Sequence, residues 1–261
     1  MNLPNRHIQN LLDCLTRSRL SFALYRLPWT DECYFVLQQS GDVEQLADIR
    51  ELNKKKGFVM APFLQSDHHP LIVIRPDITA YDWDEISEAI SSLECADALL
   101  TCKNQTEKLS PFVSEETDKE RYTQAFERFI TPLQKKHFQK LVLSRSSTKH
   151  INDDFSPLAA FVRACNNYPR MMIYLCHTPV SGTWVGSTPE ILLSGHGKEW
   201  HTVALAGTMP MQNEVMPMDW DKKNQDEQGY VADYIRRIIK KFGNKMNEKG
   251  PYTCLLYTSP S

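Results

Sequence analysis

Four short stretches place residues able to do acid–base or cation chemistry beside apolar runs. In Gln139-Lys140-Leu141-Val142-Leu143-Ser144-Arg145 the alternation reads as a strand, with Lys140 and Val142 on one face and Leu141 and Leu143 on the other. A lysine so placed either snorkels its ammonium to water or is a desolvated amine able to act as a base. In Trp184-Val185-Gly186-Ser187-Thr188-Pro189-Glu190-Ile191-Leu192-Leu193 a small-residue turn leaves Glu190 where a buried strand begins. A carboxylate there is either paired with a basic side chain as plain structure or is an acid kept protonated so that it can donate. The third stretch, Val203-Ala204-Leu205-Ala206-Gly207-Thr208, again sets a small-residue turn against an apolar run. In the fourth, Lys223 and Glu227 stand four residues apart on a predicted helix. That spacing makes a surface ion pair, or, if the face meets the neighbouring strands, offers Glu227 to a hard cation.

The elements that must position these groups follow from hydrophobic periodicity. Ile8, Leu11, Leu12 and Leu15 give a helix within residues 5–19, and strands follow at 21–27, 34–38, 57–62 and over 70–76, the last bracketed by its prolines Pro70 and Pro76. His68-His69 precedes that strand without a third ligand at a useful spacing, and a solvated turn is the simpler reading. An amphipathic helix is expected over 82–100 and a polar connection over 101–109. A long helix opens at Ser114 with acidic residues in its first turn and Tyr122, Phe126, Phe129 and Ile130 on one face, followed by a second short helical piece. After a helix at 157–166, an antiparallel meander is expected from strands at 171–176, 183–186, 190–194 and 199–205, with a turn at Gly195-His196-Gly197. Residues 220–241 read as one helix with a stripe of Tyr230, Tyr234, Ile235, Ile238 and Ile239.

The 261 residues, 41% hydrophobic and 24% charged, are an ordinary globular composition with material for a sizeable core. A formal charge of −2, with no long run of like charges, leaves no field to gather nucleic acid or an anionic membrane. The seven cysteines are odd in number, scattered and without a CxxC pair, which points away from a disulfide framework or zinc site and toward reduced thiols in a cytoplasm. No apolar stretch approaches the roughly 20 residues of a spanning helix.

Four motifs in order, Lys140-Leu141-Val142-Leu143-Ser144-Arg145, Val185-Gly186-Ser187-Thr188-Pro189-Glu190, Ala204-Leu205-Ala206-Gly207-Thr208 and Lys223-Asn224-Gln225-Asp226-Glu227-Gln228, resemble the chorismate-utilising enzyme family over roughly residues 113–252. The resemblance implies an α/β fold (α+β-like) of antiparallel sheets with outer helices, a chorismate substrate and a Mg²⁺-dependent site. In this family a lysine opening the first motif marks members that add water, where the ammonia-using members have glutamine; Ala206 stands where aminodeoxychorismate synthases have lysine. The chain therefore resembles the isochorismate-forming members, serving menaquinone or siderophore synthesis, with salicylate synthase or the anthranilate synthase large subunit as alternatives and a non-catalytic binding module as the reading outside enzymes. By resemblance Lys140 is the base that activates water against C2, and Glu190 the acid that protonates the departing C4 hydroxyl. Ala206, Gly207 and Thr208 face a substrate carboxylate, Glu227 holds Mg²⁺, and no partner protein is required.

The fourth motif departs from the family's Lys-Asp-Arg followed by Glu-His, since Asn224-Gln225 and Gln228 change the neighbours of Glu227. The resemblance also implies a variable N-terminal part over 1–112 and the first half of a catalytic domain over 113–253. Residues 254–261 resemble translated adapter sequence rather than native chain, and the resemblance implies a later half with another magnesium-binding glutamate and further carboxylate-gripping residues, so the 261 residues alone are expected to be inactive although the parent protein is expected to be an enzyme.

Overall fold

A computed structural model describes residues 1–39, 42–93, 115–152, 154–211, 219–243 and 245–253. Its centre is a five-stranded antiparallel sheet assembled from distant parts of the chain. The strands are β1 (Ser21–Arg26), β2 (Tyr34–Gln38), β6 (Ile78–Tyr81), β7 (Met172–Thr178) and β8 (Gly182–Thr188), in the order β6-β2-β1-β7-β8. A second sheet of β3 (Glu44–Leu46), β4 (Phe58–Met60) and β5 (Leu71–Ile74) has the order β3-β5-β4.

Alternation along the central strands decides which layer covers each face. Phe22, Leu24, Phe35, Leu37, Ile173 and Leu175 point to one side and pack with three helices. These are α1 (Arg6–Leu15), α2 (Asp82–Ser91) and α4 (Pro157–Asn167). Residues of the opposite alternation, Ala23, Val36 and Cys176, meet Val43, Ile72 and Ile74 on the side of the second sheet. Mixed helices and antiparallel sheets are thus the observed architecture, as the fold-class expectation had it.

The helices start where their caps are. Asn5 Oδ1 accepts the Ile8 N–H of α1 at 3.1 Å, and Ser156 Oγ accepts the Ala159 N–H of α4 at 3.0 Å with Pro157 in the first turn. Their apolar stripes, Ile8, Leu11, Leu12 and Leu15 in one and Leu158, Phe161, Val162 and Cys165 in the other, are wholly buried. Arg26, also buried, donates to the carbonyls of Tyr168, Pro169 and Met171 and so ties the end of α4 to the sheet.

One row across the central sheet is aromatic. Tyr81 lies opposite Tyr34, Tyr34 opposite Tyr25, Tyr25 opposite Tyr174, and Tyr174 opposite Gly186. Ring centroids are 4.9 Å apart for Tyr34 and Tyr81 and 5.3 Å for Tyr25 and Tyr34, within the range of favourable aromatic pairs. At the end of the row a Cβ on residue 186 would fall 2.4 Å from the Tyr174 ring, so only glycine leaves the ring its place. The segment leading to Glu190 starts from this contact.

Several expected elements differ. The helix expected to open at Ser114 is α3 (Glu115–Gln134), one continuous helix that absorbs the second short piece, and its Tyr122 and Phe126 are exposed rather than packed. Its cap residue, the polar connection at 101–109 and residues 94–100 of the second expected helix lie outside the described residues. Residues 139–145 and 190–193 are not strands, and Glu190 is exposed rather than entering a buried one. Val142, at 76% exposure, and Leu192, at 88%, have the alternation of strands but no covering layer among the described residues, and strand formation depends on cross-strand partners and burial more than on local preference. The end of the expected meander shrinks to a small hairpin of β9 (Ser194–His196) and β10 (Glu199–His201), so the turn sits at Gly197 and its approach is strand. Among the described residues no helix is long and apolar enough to cross a membrane.

Candidate active site

Helix α5 (Lys222–Ile239) gathers most of the candidate residues. Asp221 caps it, its Oδ1 accepting the Asn224 N–H at 2.7 Å. From the first turns, Asn224, Glu227 and Gln228 project on one face, being three and four residues apart.

Two segments dock on that face. The first carries Lys140, whose Nζ donates to Glu227 Oε1 at 2.9 Å, with the two side chains 34% and 32% exposed. The i,i+4 ion pair on this helix is Lys222 with Asp226, not Lys223 with Glu227. Glu227 is therefore neither a member of the expected surface pair nor isolated, but joined to a residue 87 positions earlier. Beside Lys140 lies an open groove of about 470 Å³, walled by Phe138, Val142, Tyr230 and Tyr234.

The second segment is Ala204 to Thr208. Gln228 binds it with both ends of its amide, accepting the Ala206 N–H at 2.8 Å and donating to the Ala204 carbonyl at 2.9 Å. Asn224 Oδ1 accepts the Thr208 N–H at 3.0 Å. Gly207 has φ +71°, and a Cβ there would meet the Asn224 carbonyl oxygen at 2.9 Å, so the turn's close approach to the helix requires glycine. Asn224 and Gln228 were not among the residues singled out from sequence for function. They stood out only as departures from the family's motif beside Glu227, whose helix face they share.

The expectation that the Gly207-Thr208 pair offers its backbone donors to a carboxylate needs revision. The Thr208 N–H is spent on Asn224 and the Ala206 N–H on Gln228. The Gly207 N–H and the Thr208 hydroxyl keep no hydrogen bond among the described residues.

Glu190 is not brought into this cluster by any hydrogen bond or ion pair. Its N–H donates to Thr188 Oγ1 at 3.2 Å, and its carboxylate is exposed and bonded to nothing among the described residues. Its segment is nevertheless laced to the one that reaches α5. The Val203 N–H donates to the Ile191 carbonyl at 3.3 Å, and the Thr202 hydroxyl to the Leu192 carbonyl at 2.8 Å.

Among the described residues no group of three or more His, Cys, Asp or Glu side chains forms a ready cation cage. Magnesium does not need one, since it is commonly held by one or two carboxylates, waters and a substrate oxygen. Glu227 could supply one hard oxygen ligand of that kind, since its Oε2 is not committed to Lys140. His68 and His69 sit in an exposed turn in which Ser66 Oγ lies 3.3 Å from His69 Nδ1.

A family model of chorismate-binding enzymes matches residues 50–255, a span that contains Lys140, Glu190, Ala206, Gly207, Thr208 and Glu227. The chain belongs to the chorismate-binding enzyme family. No curated protein matches it at a significant level. As a member of that family it is of the chorismate-utilising class and takes the small molecule chorismate as its substrate.

Proposed function

We propose that this chorismate-binding enzyme forms isochorismate, adding water at C2 of chorismate and expelling the C4 hydroxyl, with Mg²⁺ as cofactor. The observation that carries the reading is Lys140. An amine stands where the ammonia-using relatives have an amide, and it lies 2.9 Å from a carboxylate on the helix that also holds the Ala206-Gly207-Thr208 turn.

Water is a poor nucleophile at neutral pH and needs a base at the moment of attack. Lys140 Nζ supplies it as a neutral amine, its ammonium having first released a proton to solvent and left Glu227, and it then takes the proton of the attacking water. Hydroxide is a poor leaving group, and Glu190 in its acid form hands a proton to the departing oxygen. The exposed, uncommitted carboxyl of Glu190 is free to meet a substrate. The Gly207 N–H and Thr208 hydroxyl receive a substrate carboxylate. Glu227 would hold Mg²⁺, which when bound neutralises charge on a substrate carboxylate. No ammonia-supplying partner subunit is required for this chemistry.

The test is product analysis of the full-length protein with chorismate and Mg²⁺, with and without ammonium. Isochorismate, unaffected by ammonium, is the expected product. Salicylate with pyruvate assigns the chain to the salicylate-forming relatives, and an aminated product overturns the role of Lys140.

A further inference from the structure

We infer that Asn224 and Gln228 are positioning residues, whose side-chain amides hold the Ala206-Gly207-Thr208 turn on helix α5 so that the Gly207 N–H and Thr208 hydroxyl meet the substrate carboxylate beside Glu227. This rests on the reading of the site as a chorismate site. Three hydrogen bonds carry it: Gln228 to Ala206 N–H at 2.8 Å, Gln228 to the Ala204 carbonyl at 2.9 Å, and Asn224 to Thr208 N–H at 3.0 Å. Asn224 is only 7% exposed, and its backbone N–H is held by Asp221 at the start of the helix, so burial of the side chain and the cap together limit where its amide can go before any ligand arrives. The two amides occupy the N–H groups on either side of Gly207. The donors left to an incoming anion are thereby selected, and they are tied to the same helix turn as Glu227. A helix that shifts moves both together, which keeps the carboxylate site and the cation ligand in register.

The two amides are used differently, and this makes the inference testable. Asn224 contributes only its acceptor oxygen, which aspartate retains. Gln228 contributes both an acceptor and a donor, and glutamate loses the donor while setting an anion against the Ala204 carbonyl. In the full-length protein, Asn224→Leu is expected to raise KM for chorismate about tenfold, the equivalent of its one lost hydrogen bond, and Gln228→Met, which loses two, at least as much, with kcat little changed in both. Asn224→Asp is expected to restore KM to near the wild-type value and Gln228→Glu to leave it raised.

A merely structural role would lower the melting temperature and the active fraction, reducing kcat at unchanged KM. That pattern overturns the inference, as does equal KM in Asn224→Asp and Gln228→Glu. The latter pair changes no side-chain shape, so it decides the matter even if the apolar variants do not fold. Chorismate binding by the wild-type protein, followed by calorimetry, separates the two levels. Its absence overturns the chorismate reading of the site together with the inference, whereas its presence with unmoved KM in the variants overturns the inference alone.

Discussion

The Lys140–Glu227 pair should matter little to folding and a great deal to turnover, and its geometry sets the sizes. Two unit charges 2.9 Å apart attract by about 1.4 kcal/mol at the dielectric of water. Both side chains are a third exposed, and ordering two long side chains offsets most of that attraction. Pairs of this kind contribute about 0.2–1 kcal/mol. A double-mutant cycle of Lys140→Met, Glu227→Gln and the double variant, followed by urea unfolding, is therefore expected to give a coupling below about 1 kcal/mol. In the same proteins Lys140→Met is expected to lower isochorismate formation by about 10²–10⁴ or abolish it, the contribution typical of a general base. A coupling above about 2 kcal/mol, with activity falling only in step with the folded fraction, would show a structural ion pair and refute the reasoning.

Three further outcomes are expected. Glu190→Gln should bind chorismate and Mg²⁺ yet turn over about 10²–10⁴ more slowly, since the amide keeps the shape and loses the acidic proton; turnover near wild type would make Glu190 structural. Glu227→Ala should raise the Mg²⁺ concentration needed for activity more than it weakens metal-free chorismate binding, whereas an unchanged metal titration would leave Glu227 only its pairing with Lys140. Burial raises the Cys33 and Cys176 thiols to about 12 and Cys165 to about 11, from 9.0 when free. The native state then holds more protons than the unfolded chain above about pH 9, so these thiols make stability fall as pH rises through that range. Their labelling by a thiol reagent at about pH 8 should be slow in the native protein and fast in urea, and prompt native labelling of all three would contradict their burial.

Much of the fold was legible in the chain because its strongest signals are burial signals. Ile8, Leu11, Leu12 and Leu15 have one helical face to bury, and Leu71, Ile72, Val73 and Ile74 form a run that only a covered strand accommodates. What periodicity does not encode is the partner. Leu141 and Val142 alternate as convincingly as Leu24 and Tyr25, yet only the latter find neighbours on both sides, β2 and β7, the second of which lies some 150 residues away in the chain. The pairing of β1 with β7 is a long-range choice with no local mark. At the site, Lys140, Glu190 and Glu227 stood out because a charge beside an apolar run or on a helix face demands an explanation, and Ala206, Gly207 and Thr208 took their role from the family resemblance. Asn224 and Gln228 stood out only as departures from the family's motif and were given no role, for neutral amides on the polar side of a helix look like solvated surface until the backbone they bind is in place. The exposure of Glu190 was also illegible, since Ile191, Leu192 and Leu193 after it are apolar, and that no layer covers Leu192 and Leu193 among the described residues is a tertiary fact.

Incubating the full-length protein with chorismate and Mg²⁺ in heavy-oxygen water, and locating the label by mass spectrometry and NMR, asks most directly whether Lys140 delivers solvent to the ring. One heavy oxygen at C2 of isochorismate, absent when Lys140→Met replaces the wild type, is the expected result. Unlabelled product, a nitrogen at C2 when ammonium is present, or labelled isochorismate still formed rapidly by the Lys140→Met protein would contradict water addition by this base.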